Sequence, residues 1–245
     1  MEDMIKIFTE YVKTFDLKEP AIMNKFHHSF RVMEFARDIA ISLDLDAEDI
    51  MLASIIGLFH DIGRFEQWTK YKTFEDSDSI DHGDLSVEIL ESLMPKITDN
   101  EYLKNIIISS VKNHNKFKIE DKLDGRGMIM AKLVRDADKL DIMTEQGNIL
   151  KRNHEVNEKL VNCLKNHEMI NNEDVKNEMD SLFRLIGFIF DLNFKYSISY
   201  ILDNDIVKNK INLIEIYSGT ELKDLEKNLI TYLKEEYHVR QEIQS

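Results

Sequence analysis

His60 and Asp61 stand side by side at the end of the apolar run LASIIGLF (52–59), with Gly63 and Arg64 just behind. Imidazole and carboxylate are the donors that divalent transition metals take up together. One His-Asp pair proves little, so the question is which other groups of this kind share its surroundings. Helical spacing supplies candidates. His28 lies four residues before Val32, and His60 follows Ala53, Ile56 and Gly57 at the same period. His82 precedes Leu85 and Ile89, His114 ends the series Leu103, Ile107, Ser110, and Asp138 continues Ala131 and Val134. Each ligand type therefore sits on the inward face of a different helix. A single inward histidine is ordinarily a satisfied core residue. Four histidines and two aspartates converging on one core are costly unless a cation compensates them. His27, His154, His167 and His238 lack such placement and read as surface or capping residues.

If residues 47–61 are helical, His60 and Asp61 lie at the negative end of the helix dipole, which favours a cation. Adjacent helical residues point about 100° apart, so the pair would grip a metal from two directions. Asp61 has two oxygens and can bridge two ions.

The elements that must position these groups read as helices. The chain of 245 residues is 43% hydrophobic and 32% charged, with 8 glycines and 2 prolines, a scarcity that favours helices joined by short loops. Periodicity places helices at 2–15, 24–43, 47–61, 82–93, 100–114 and 126–143, with Gly63 as a stop, Asp81 as an N-cap and Pro95 as a separator. The stretch TKYKTFEDSDSID (69–81) reads as an exposed loop that could cover a substrate. The Asn-rich stretch 151–174 is partly helical, and long helical patterns return at 174–202 and 220–243. The expected architecture is all-α: a single helical domain over 1–245, with a core at about 20–145 and a C-terminal helical extension at about 150–245.

Net charge is -14, which argues against nucleic acid or an anionic membrane as partner but not against a small phosphorylated substrate, since a bound cation reverses charge locally. The single cysteine, Cys163, fits a reducing compartment, and the start lacks the pattern of a secretory signal. The apolar runs are too short to span a bilayer. The expectation is a cytoplasmic protein.

The words HHSFRVMEFA around His28, GLFHDIGRFEQ around His60-Asp61 and LVRDADKLD around Asp138 resemble the signature of the HD-domain superfamily of metal-dependent phosphohydrolases. The resemblance covers roughly residues 20–145 and is specific in combination. It implies an all-helical bundle in which His28, His60, Asp61 and Asp138 bind a first metal. His82 in DHGDLSVEIL and His114 in VKNHNKF match the extra histidines of two-metal branches. Some of those branches carry a His-His pair where this chain has His114-Asn115. The implied cofactor is one or two divalent transition-metal ions, iron or manganese first, with cobalt, nickel and zinc open.

The activity implied is hydrolysis of a phosphoester in a small molecule, a nucleotide first, by metal-bound hydroxide. Metal lowers the pKa of water from 15.7 to roughly 7 and neutralises charge on the phosphoryl oxygens. Asp61 and Arg64 are the expected catalytic pair. Arg64, Arg31 and Lys112 are the candidates for binding phosphate. Glu66 and Asp141 are candidates to support a ligand or water, and Arg184 and Asp191, seven apart, to shape substrate choice. The same six ligands also occur in di-iron oxygenases of the superfamily, and a non-catalytic nucleotide-sensing domain is the third reading. The expected partner is a small phosphorylated substrate, with neither nucleic acid nor membrane; a homodimer stays open.

Overall fold

The computed structural model describes residues 1–120, 122–144 and 155–244, with side chains of 241–244 excepted. His154 and residues 151–153 of the Asn-rich stretch lie outside the described residues. All regular elements among the described residues are helical, as the periodicity requires. None of these helices is long and apolar enough to cross a membrane. The chain forms two compact units, Met1–Asp141 and Ile142–Ser245.

The first unit contains α1 (Glu2–Val12), α2 (Pro20–Ser42), α3 (Ala47–Phe59), α4 (Gly63–Tyr71), α5 (His82–Ile97), α6 (Glu101–Asn113) and most of α7 (Gly125–Thr144). Pro20 occupies the first turn of α2, where its missing N–H costs nothing. Asp46, Asp81 and Asn100 cap α3, α5 and α6 by accepting backbone N–H groups. Pro95 does not separate helices: it lies in the last turn of α5, where it removes a single ladder bond, and the helix runs on to Ile97.

Gly63 is not a stop but the first residue of α4. A Cβ there would sit 2.7 Å from the Ser86 nitrogen and 2.9 Å from the His82 carbonyl oxygen, so only glycine lets α4 begin against α5. The Gly63 N–H donates to Ser86 Oγ at 2.9 Å. Gly57 likewise admits a close approach between α2 and α3, where a Cβ would meet Val32 O at 2.9 Å and the Met33 Cα at 3.0 Å. These two close approaches bring the His28, His60 and His82 backbones together. Behind them Phe8 of α1 packs edge-on to Phe59 and Phe65, ring centroids 5.6 and 5.9 Å apart. The apolar backing thus lies under the short turn 60–62 that joins α3 to α4.

The segment 69–81 is only partly a loop. α4 continues to Tyr71, Lys72 ends it in the left-handed region (φ 56°), and residues Asp76–Asp78 make a 3-10 turn. The second unit contains α8 (Glu158–Lys165), α9 (Glu178–Gly187), α10 (Lys195–Asp203), α11 (Ile206–Ser218) and α12 (Lys223–Gln244). The expected helix over 174–202 is broken by a 3-10 turn at Phe188–Asp191 and by extended backbone at Leu192 and Phe194. The Asn193 side chain donates to the Asp191 carbonyl there, competing with helix propagation. Arg184 and Asp191 therefore do not share one helix face. α11 was not expected from the sequence; Gly219, at φ 73°, ends it.

Candidate metal centre

Two helices of the first unit end on a histidine. His60 caps α3 and His114 caps α6, and in each the ring Nδ1 faces the carbonyl three residues back: Gly57 O at 2.8 Å and Val111 O at 2.6 Å. The carbonyl accepts, so the proton sits on Nδ1 and the Nε2 lone pair points inward. The other two histidines reach the same tautomer through carboxylates. His28 Nδ1 faces Asp141 Oδ2 at 2.6 Å, and His82 Nδ1 faces Asp76 Oδ2 at 2.6 Å. All four rings are nearly or fully buried.

Their Nε2 atoms meet in pairs, His28 with His60 at 3.2 Å and His82 with His114 at 3.1 Å. Asp61, 2% exposed, lies between the pairs. Its Oδ2 is 3.3 Å from His28 Nε2 and 3.6 Å from His60 Nε2. Its Oδ1 is 3.4 Å from His114 Nε2 and 3.5 Å from His82 Nε2. Asp138 Oδ1 closes the first group at 3.3 Å from His28 and 3.5 Å from His60. The structure thus brings all six sequence-selected side chains together, and the ligating atoms of His28, His60 and Asp138, and of His60, Asp61 and His114, lie mutually within 4.8 Å.

This donor set fits divalent metal. Two facing lone pairs at 3.1–3.2 Å repel unless something positive lies between them. Ligands about 2.0–2.1 Å from one ion stand roughly 3–3.4 Å apart, the spacing seen. Asp61 Oδ1 is buried and accepts no hydrogen bond among the described residues. The C-terminal ends of α3 and α6 add negative potential from their dipoles. Without metal the cage favours other positive charge. Burial and Lys25 disfavour a charged His28, but hydrogen bonds to Asp138, Asp141 and Asp61 outweigh them and push its pKa up to about 10. Burial would raise the Asp61 carboxyl, yet Lys25 and the imidazoles hold it well below the usual range; His28 and His60 do the same for Asp138.

The basic candidates are committed elsewhere in different degrees. Arg31 grips Asp141 with Nε at 2.5 Å and Nη2 at 2.9 Å, so it supports the carboxylate behind His28. Asp141 occupies the supporting place expected of it. Lys112 pairs with Glu120 at 3.3 Å. Arg64 Nε stands 3.6 Å from Asp61 Oδ1, while its Nη1 donates to Gln67 Oε1, Phe74 O and Asp76 Oδ1. Glu66 pairs with Lys70.

Four supporting residues escaped the sequence reading. Lys25 Nζ donates to Asp61 Oδ2 at 2.8 Å; its spacing of three before His28 was a usable signal. Asp76 looked like one solvated acid among several. Gln67, fully buried, donates to Asp76, Ser79 and the Ile80 carbonyl, and so fastens the 74–80 segment to α4. Arg135, 3% exposed, donates to the carbonyls of Asn113 (2.8 Å), His114 and Lys116, tying the end of α6 to the helix that carries Asp138.

Fold and centre together define a helical metal-binding domain with mixed imidazole and carboxylate donors. Residues 26–143, just under half of the chain, match the family model of the HD domain. HD domains mark a superfamily of metal-dependent phosphohydrolases, and the His/Asp cluster of this chain is compatible with a metal site of that type. No curated protein and no solved structure shows significant similarity to the chain.

Proposed function

We propose that the chain hydrolyses a phosphoester of a small molecule, a nucleotide first among them, with two divalent metals of the manganese–iron–cobalt–nickel–zinc group, iron or manganese foremost. The observation that supports this best is the pairing of four imidazole Nε2 atoms across the two oxygens of Asp61. In this reading His28, His60, Asp138 and Asp61 hold one ion, and His82, His114 and Asp61 the other. Metal so held activates water and neutralises phosphoryl charge.

The chain's own residues do the rest. Asp141 and Asp76 hold the Nδ1 protons of His28 and His82, which keeps each Nε2 free to ligate. Gly57 O and Val111 O do the same for His60 and His114. Arg64 faces Asp61 Oδ1 and steadies the bridging carboxylate. The Phe74 ring, itself against Trp68, and the buried Gln67 pack beside the Arg64 guanidinium. The net charge of -14 supports a small-molecule substrate over nucleic acid or membrane, and a cytoplasmic location accords with the single cysteine.

The test is phosphate release from a panel of nucleotides and simple phosphoesters, with added manganese or cobalt, in air and under strict anaerobiosis. Hydrolysis undiminished without dioxygen is expected. Turnover that stops without dioxygen would assign the centre to oxygenase chemistry. Ligand binding with no turnover in either atmosphere would assign it to sensing.

A further inference from the structure

The three basic residues that spacing nominates for phosphate are each spoken for, yet one ammonium stands at the centre itself. Lys25 lies one turn before His28 on α2, and its Nζ touches Asp61 Oδ2 at 2.8 Å. That oxygen is also the one facing His28 and His60. The Lys25 side chain is 16% exposed against 3% for Asp61, so the ammonium lies at the outer edge of the cage. The Phe74 ring lies 5.6 Å from Lys25 Nζ and 5.6 Å from Arg64 Cζ, an aromatic wall beside both cations.

Resting on the hydrolase reading above, we propose that Lys25 is the substrate-phosphoryl contact of this centre and selects the dianionic phosphoryl group of a monoester over the monoanion of a diester. Asp61 Oδ2 cannot spend its charge fully on both a divalent cation and an ammonium. Metal at the first site therefore loosens the Lys25 pair. Lysine carries its charge on a flexible four-carbon stem with three rotatable donors, which suits it to turn toward a phosphoryl oxygen held beside the metal. Charge sets the preference. Asp141 is offset by Arg31 and Asp76 by Arg64, leaving Asp61 and Asp138 as the carboxylates that face the metals. With both metal positions filled, Lys25 and the two divalent cations exceed those two carboxylates by three charges, and a dianion offsets that excess better than a monoanion. Arg64 does not take this role while its Nη1 serves Phe74 O, Gln67 and Asp76.

The experiment uses the metal-reconstituted full chain and Lys25→Met and Lys25→Arg. Inorganic phosphate is titrated by calorimetry, and p-nitrophenyl phosphate and bis(p-nitrophenyl) phosphate are compared as substrates. The expected result is unchanged metal content, phosphate affinity lower by about tenfold or more in Lys25→Met, a raised KM for the monoester with the diester little affected, and partial recovery in Lys25→Arg. In the wild-type chain, the Lys25 ammonium resonance should shift when phosphate is added to the metal-loaded protein; this readout stands even where a variant fails to fold. Unchanged phosphate affinity, an equal loss for both esters, or an ammonium signal indifferent to phosphate would overturn the proposal. A wild-type protein that binds phosphate through Lys25 yet hydrolyses no ester would instead overturn the hydrolase reading and leave the phosphate contact standing.

Discussion

Replacing Asp76 by asparagine should unload one metal and spare the other. Asp76 accepts from His82 Nδ1 at 2.6 Å through Oδ2, and from Gln67 Nε2 at 2.9 Å and Arg64 Nη1 at 3.1 Å through Oδ1. Burial would raise its pKa, but the His82 hydrogen bond and the charges of His82 and Arg64 lower it. The carboxylate thus fixes the His82 tautomer and raises the basicity of Nε2. Removal of such a supporting partner typically costs 10–100-fold in metal affinity, which is about 1.4–2.7 kcal/mol. His28 has its own carboxylate, Asp141, so the first site should hold. Asp76→Asn preserves shape, and the amide oxygen can still accept from Gln67 or Arg64. Manganese titration followed by calorimetry or electron paramagnetic resonance should show one of two binding steps shifted by one to two decades and the other unmoved. Two unshifted steps, or an equal shift of both, would overturn this assignment of Asp76.

Other outcomes follow from the same geometry. Gly57→Ala should lower the melting temperature and metal affinity together, because the added Cβ at 2.9 Å from Val32 O forces α2 from α3; overpacking of this kind costs about 1–3 kcal/mol, readable by thermal denaturation with and without manganese. In metal-free protein the raised His28 pKa contributes stability that is complete below 6.5 and lost as pH rises through about 10. Metal uptake near neutral pH should correspondingly release His28's proton, measured by calorimetry in two buffers of different ionisation enthalpy; no dependence on buffer would contradict the assignment.

The inward period of His28, His60 and Asp138 was plain in the sequence because ligands that share a core must share the apolar face of their helices. Asp61 was legible for the same reason, as the neighbour of His60 at a helix end. Gly63 was misread because a glycine ending a helix and a glycine admitting a neighbouring backbone look alike in one dimension; only the 2.7 Å approach to Ser86 separates them. Asp76 was hidden among Glu75, Asp78 and Asp81, where nothing local marks the acid that folds inward. Arg64 was legible as a neighbour of Asp61, but its engagement with Phe74 O and Asp76 depends on how the 74–80 segment folds back. In the second unit, the expected continuous helix failed at Phe188–Leu192, where a side-chain hydrogen bond from Asn193 competes with an apolar pattern that reads as helical.

In the proposed centre Asp61 joins two metals. Elemental analysis of purified, desalted protein, beside Asp61→Asn, tests it most directly. Close to two transition-metal ions per wild-type chain and a loss at both positions in the variant are expected, since each oxygen of Asp61 faces one histidine pair. A wild-type chain that takes up no transition metal, or a variant that keeps the full complement, would contradict it.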